Sequence, residues 1–257
     1  MSLREQWVAF MTIFRKEIRR YLRIWTQTLL PSAITMSLYF VIFGTLIGSR
    51  IGEMGGYTYM EFVVPGLIMM AIVTNSYSNV VSSFFGSKFS HAVEELLVSP
   101  VPNYVILMGY VLGGVSRGLL VAIVVTLVSL FFTRLNIHSY FVVIVIVLMT
   151  STLFALAGFI NAVYANSFDD ISIVPTFVLT PLIYLGGVFY SMDLLPEFWA
   201  NVSKLNPLVY VVNAFRYGVL GVSDVSLAFS FGMIAFFTAI AFAYSMHLLN
   251  TGKRLRQ

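Results

Sequence analysis

The sequence predicts an all-α polytopic membrane protein. It has about six transmembrane helices, an N-terminal amphipathic interfacial helix and a re-entrant outer helical segment before the last span. Three observations carry that prediction. Hydrophobic residues fill 59% of the 257 positions, charged residues only 10%, and mean hydropathy is +0.89; a soluble domain is nearer half apolar and a quarter charged. The apolar residues gather into stretches of about 20, the length a helix needs to cross a hydrocarbon core roughly 30 Å thick. The basic residues fall very unequally on the two sides of those stretches.

Residues 1–25 form the first unit. Leu3, Trp7, Phe10, Phe14, Ile18, Tyr21 and Trp25 recur at helical spacing, with Arg15, Lys16, Arg19, Arg20 and Arg23 on much of the remainder. This pattern predicts a helix lying in the inner interface, its cations near anionic lipid. It serves as a topology anchor, as a docking surface for a cytoplasmic partner, or as both. The apolar stretch that follows is too long for a signal-peptide core, so the start of the chain is expected to belong to the mature protein.

The transmembrane unit is expected over 26–252, followed by a basic cytoplasmic tail, 253–257. Its spans are read at about 26–48, 62–86, 104–132, 140–164, 171–190 and 226–249. The segment 191–224 is apolar in part, but Asn206, Pro207, Asn213 and Arg216 interrupt it, and Pro207 is expected to break a helix there. Charge decides against a seventh span. With six spans and a cytoplasmic N-terminus, ten cations lie inside: Arg4, Arg15, Lys16, Arg19, Arg20, Arg23, Lys88, Lys253, Arg254 and Arg256. Four lie outside, namely Arg50, Arg134, Lys204 and Arg216, as the positive-inside rule requires. Residues 191–224 are therefore outer or re-entrant helices.

The longest inner loop, 87–102, reads as a short amphipathic helix over about 87–99. Phe89, Val93, Leu96 and Leu97 share one face; Lys88, His91, Glu94 and Glu95 are the polar groups; Pro100 and Pro102 end it. Its apolar face needs cover, from lipid headgroups or from a soluble partner.

Chemistry-bearing motifs are scarce. There is no cysteine, hence no disulfide or thiolate site, and the three histidines show no metal-ligand spacing. No phosphate-binding loop occurs: the one Gly-Lys pair, Gly252-Lys253, is followed by Arg254. No carboxylate lies within an apolar span, whereas ion-coupled carriers place ionisable groups near the midplane. Arg117 alone interrupts a span, and snorkelling or an interhelical hydrogen bond accounts for it. Gly44-x-x-x-Gly48, Gly109-x-x-x-Gly113 and Gly114-x-x-x-Gly118 permit close helix approach. Asn75, Ser76, Ser78, Asn79, Ser82 and Ser83 make span two unusually polar, as a hydrogen-bonded seam or a solvated path.

Three stretches, in this order and spacing, resemble the type-2 ABC exporter permeases, inner-membrane subunits that pair with a separate ATP-binding-cassette protein. They are Val93-Glu-Glu-Leu-Leu-Val-Ser-Pro-Val-Pro102; Pro181-Leu-Ile-Tyr-Leu-Gly-Gly-Val-Phe-Tyr190 with Leu195-Pro196; and Leu205-Asn-Pro-Leu-Val-Tyr210 with Arg216. The resemblance implies a homodimer, each copy seated on one ATPase, in the bacterial inner membrane with both termini cytoplasmic. It makes the helix near 87–99 a coupling helix, with Phe89, His91, Glu94, Glu95, Leu96 and Leu97 at the ATPase contact. Trp7, Phe14, Arg15 and Arg19 of the interface helix would sit beside it. Pro207, Tyr210 and Arg216 would form an outer gate, Arg216 bracing the dimer. No cofactor or metal is expected on this chain, ATP and Mg belonging to the ATPase. Membrane lipid is the remaining partner, with no nucleic acid. A secondary carrier, a channel or a non-transporting scaffold are the competing readings; the lack of midplane carboxylates and the docking helix count against the first two.

Overall fold

The computed structural model describes residues 1–252 together with Arg254 and Leu255; Lys253 and Arg256 of the expected basic tail lie outside the described residues. The elements are α1 (Leu3–Arg23), α2 (Trp25–Ile51), β1 (Glu53–Met54), β2 (Tyr57–Thr58), α3 (Tyr59–Phe89), α4 (Ala92–Val98), α5 (Asn103–Ser129), α6 (Tyr140–Tyr164), α7 (Asp170–Tyr184), α8 (Glu197–Ser203), α9 (Pro207–Leu220) and α10 (Leu227–Thr251). Within α2, residues Phe40–Ile47 are π-helical, and within α7, Pro175–Leu179. The fold is an all-α polytopic membrane protein, and among the described residues five helices, α2, α3, α5, α6 and α10, are long and apolar enough to cross a bilayer.

Local sequence explains the element ends. Ser2 and Glu5 form a capping box that starts α1, and Thr58 with Glu61 does the same for α3. Between them, Gly55 and Gly56 take φ of +61° and +82°, the left-handed geometry a two-residue hairpin turn requires, and pair Glu53 with Thr58. Tyr57 then donates to Leu220 O at 2.5 Å, tying the hairpin to the end of α9.

At 31 residues, α3 is the longest helix and the axis of the bundle, its apolar window mostly buried. It packs chiefly against α5 and α6, and α9 fills the remaining side. Helices α2 and α10 lie at the periphery with most of their apolar surface uncovered.

The fifth expected span departs from its reading. Residues 171–190 do not form one helix; α7 ends at Tyr184, and Gly187 with φ of +73° turns the chain. Fifteen residues rise about 22 Å, short of a hydrocarbon core of roughly 30 Å. After this turn the chain continues through α8 into α9, which is buried along nearly its whole length against α3, α6 and α10. Pro207 does not break this helix. It occupies the first turn, where its missing N–H costs nothing, while Asn206 caps it by accepting from Leu208 N at 3.0 Å.

Candidate functional site

The loop expected as one helix over 87–99 is divided. Ser87, Lys88 and Phe89 continue α3, the chain reverses at Ser90 and His91 (φ +60°), and α4 is two turns long. Lys88 is therefore not on a docking surface. It is buried, and its ammonium donates to Val163 O at 2.7 Å and Ala165 O at 2.8 Å, satisfying carbonyls left open at the end of α6.

The remaining loop residues divide by exposure. Val93 is buried and Leu96 and Leu97 are half-buried against the bundle, so much of the apolar face expected to need an outside partner is covered by the chain itself. Exposed are Phe89, His91, Glu95 and Val98, the last two on α4. Glu94 is half-buried, and His91 Nδ1 lies 3.2 Å from its Oε1. Phe89 rests against Phe168, ring centroids 5.1 Å apart, and Phe168 is edge-on to Phe85 at 5.0 Å.

Helix α1 lies along α5 and reaches the same end of α3. Its protein-facing row is Ile13, Glu17 and Tyr21, all buried, one helical turn apart. Gly109 and Gly113 make room: a Cβ on Gly109 would meet Ile13 Cγ2 at 2.6 Å, and one on Gly113 would meet Glu17 Cβ at 2.6 Å. The following Gly114 and Gly118 face α3 and α6 instead, against Val80 and Ser76 of α3 and Ala155 and Ser151 of α6. The two glycine motifs of α5 thus seat different neighbours. Trp7, Arg15 and Arg19 are exposed, and Phe14 is half-buried and stacked on Phe10.

Polar bonds join α1 to α3 along one stripe. Lys16 donates to Ser87 Oγ at 3.4 Å, Glu17 accepts from Ser83 Oγ at 2.6 Å, and Arg20 donates to Asn79 Oδ1 and Asn79 O, each at 2.8 Å. Asn79, Ser83 and Ser87 are spaced by four, so the bonds at these three residues form a ladder up the last turns before α4. Much of the polar character of span two is this seam. Glu17, which no sequence motif marks, is its centre; the Ile13-x-x-x-Glu17-x-x-x-Tyr21 spacing is the available signal.

Further along α3, Arg117 makes an interhelical hydrogen bond, donating to Asn75 Oδ1 at 2.9 Å, while Asn75 Nδ2 donates to Ser32 Oγ at 3.0 Å. One chain of polar groups thereby ties α5 to α3 and α3 to α2.

At the opposite end, Arg216 is fully buried in its own chain. It donates to Gly187 O at 2.6 Å and Phe62 O at 3.4 Å and lies 3.8 Å over the Phe62 ring. The expectation that it braces a dimer is corrected: with no exposed surface it braces the turn after α7 against α3. Tyr210, also buried, donates to Lys204 O at 2.6 Å and holds the connection from α8 into α9.

Comparison with known proteins decides the family. The profile of the family described as ABC-2 type transporter matches residues 8–220, an unbroken stretch from α1 through α9. The chain belongs to that family. This ABC-2 permease is 57% identical over 250 residues to the inner membrane transport permease YadH of Escherichia coli K12, covering 97% of this chain and 98% of YadH. It is also 21% identical over 252 residues to nodulation protein J of Neorhizobium galegae, covering 98% of this chain and 94% of that one. A multi-pass inner-membrane permease is what the apolar helices and these relatives support together.

Proposed function

We propose that two copies of this permease form the substrate pathway of an ATP-driven exporter, each seated through α4 on a separate ATP-binding-cassette subunit that holds ATP and Mg. The distribution of cations supports cytoplasmic termini and a cytoplasmic α4. The observation that carries the reading is the join at the end of α3. There, one end of the central helix runs directly into α4, presenting Glu95 and Val98, and is laced to α1 through Asn79, Ser83 and Ser87.

A push on α4 has no slack to dissipate it. Val93 is packed into the bundle, Lys88 fixes the end of α3 to the end of α6, and the ladder from α1 adds a second brace. Displacement at α4 therefore moves α3, α1 and the inner end of α6 as a unit. At the outer end α3 meets Arg216, which joins it to the turn after α7 and to α9. Movement of α3 would thus be felt where α7 and α9 meet, the proposed outer gate.

The test is co-purification with candidate ATP-binding-cassette subunits, using the wild-type permease and the Glu94→Lys and Glu95→Lys variants. The reading expects an ATPase to assemble on the wild type and charge reversal to release it. An ATPase that binds under no condition sinks the exporter reading.

A further inference from the structure

We infer that Arg20 and Arg117 form a receiving site for an anionic head group, and that the cargo of this permease is an anionic amphiphile. This rests on the exporter reading and deepens it by naming the chemical class of the substrate.

The floor of the site is an uncovered edge of α3. Thr74, Ser78, Ser82 and Gly86 recur every fourth residue and are exposed or half-buried, along a helix whose other faces are mostly buried. A Cβ on Gly86 would meet nothing within 4 Å. Two guanidinium groups stand beside this edge. The Arg20 side chain is 27% exposed and, besides its bonds to Asn79, donates to Ser82 Oγ at 3.4 Å. One turn further along, Arg117 holds Asn75, whose own amide reaches Ser32 of α2. Asn75 and Asn79 are four residues, about 6 Å, apart on α3, so both cations serve one short stretch of the edge.

Arg117 points to a ligand because its charge is not matched within the chain. It is 9% exposed and uses one of its five N–H donors, to Asn75; its Nε is buried without a partner, and among the described residues it makes no ion pair. Arg216, equally enclosed, instead spreads its guanidinium over two carbonyls and a ring. A buried cation left this way is costly unless an anion reaches it.

The surrounding charge has one sign. Lys16, Arg20 and Arg23 share a face of α1 at spacings of four and three and lead toward the edge. Glu17 is the one carboxylate of α1 beyond its first turn, and Ser83 and Arg20 engage it. The loop acids lie further off. Asp169 follows Phe168, which meets Phe85 and Phe89, and Glu94 and Glu95 come after α3 has ended; Asn75 is ten residues, about 15 Å, before Phe85. Asp170 is engaged by its own loop, accepting from Asn166 N and Ser167 N. Because Asn75 is near the middle of α3, an anion that reaches Arg117 lies at hydrocarbon depth and brings an apolar tail with it.

The experiment uses the full-length permease in neutral maltoside micelles, with dodecyl phosphate as probe and dodecyltrimethylammonium as a cation of the same chain length. Binding is read from the rise of the unfolding temperature with probe concentration. Dodecyl phosphate should bind the wild type. Arg20→Gln and Arg117→Gln, each keeping a donor for its asparagine, should weaken it at least tenfold; Arg4→Gln, at the far end of α1, should not. Equal binding of the two amphiphiles, or equal weakening by Arg4→Gln, overturns the site. Should Arg117→Gln fail to fold, Arg20→Gln carries the test together with Arg117→Lys, which keeps the charge and should keep binding; unweakened binding by Arg20→Gln then overturns the site. Cargo is distinguished from resident lipid on the complex with the ATP-binding-cassette subunit that co-purifies, in phosphatidylcholine vesicles. Dodecyl phosphate should at least double ATP hydrolysis by the wild-type complex and leave that of Arg20→Gln unchanged. Binding without stimulation marks a site for lipid phosphate and overturns the cargo assignment. Binding by a permease on which no ATPase assembles upholds the site and overturns the exporter reading instead.

Discussion

Arg216 has no exposed surface and is the largest fully buried side chain of the described residues. Its planar guanidinium reaches Gly187 O and Phe62 O while lying over the Phe62 ring, a combination that a lysine ammonium cannot reproduce. Arg216→Lys should therefore destabilise nearly as much as Arg216→Ala, each by about 2–4 kcal/mol from lost bonds and packing, read as a lowered unfolding midpoint in detergent. If the lysine variant matched wild type, charge alone would be the requirement. Glu17 presents the complementary case. Its carboxylate accepts from Ser83 and lies 3.4 Å from Arg20 Nε, so Glu17→Ala strands a buried hydroxyl and should cost about 1–3 kcal/mol. Glu17→Gln keeps an acceptor for Ser83 and should lose less; equal losses in the two variants would show that the charge, not the hydrogen bond, matters.

The bundle is assembled by close approach as much as by apolar area, since lipid competes equally for apolar side chains. Gly158 of α6 lies so near α3 that an added Cβ would stand 2.5 Å from Tyr77 O, a backbone atom that cannot turn aside. Gly232 of α10 has nothing within 4 Å. Gly158→Val should thus cost about 1–3 kcal/mol or prevent assembly, whereas Gly232→Val should stay within about 0.5 kcal/mol of wild type. Yield and monodispersity of the two purified variants give the comparison, and similar behaviour would refute the packing argument. The same reasoning explains why the glycine pairs of α5 give no direct sign of their neighbours in sequence. Spacing shows that a backbone can be approached, but not that Gly109 and Gly113 receive α1 while Gly114 and Gly118 receive α3 and α6.

Taken as a membrane protein, the chain has one unfinished side. Helix α7 is too short to cross alone, and the turn after it carries backbone groups that hydrocarbon cannot satisfy. Beside it α2 is mostly uncovered; it touches α7 through Tyr39 and Tyr184, whose hydroxyls are 3.1 Å apart, and the turn after α7 through Phe43 and Phe189. This face should be where a second copy or a water-filled path lies. In the proposed homodimer, Leu38→Cys and Phe177→Cys should crosslink between copies, while Phe236→Cys on α10 should not; all three positions are exposed in a single chain. Crosslinking at Phe236 with none at Leu38 or Phe177 would place the partner on the other side of the bundle.

Composition, span length and charge bias sufficed to establish a polytopic helical membrane protein, because burial in lipid constrains every residue of a span and leaves a long apolar record. The amphipathic N-terminal helix and the α4 carboxylates were legible for the same reason: a helical period repeats its signal. The sequence could not show which partner each polar group meets. Lys88 reads as a polar group of the loop helix and is instead the cap of α6; Arg216 reads as a dimer brace and is sealed in its own chain; Glu17 carries no motif. Nor could hydropathy separate one full span from the shorter α7 and the turn that follows it, since residues 171–190 are apolar over nearly a span's length. Those outcomes depend on single long-range contacts between helices far apart in sequence, and a single contact leaves no periodic trace in the chain that makes it.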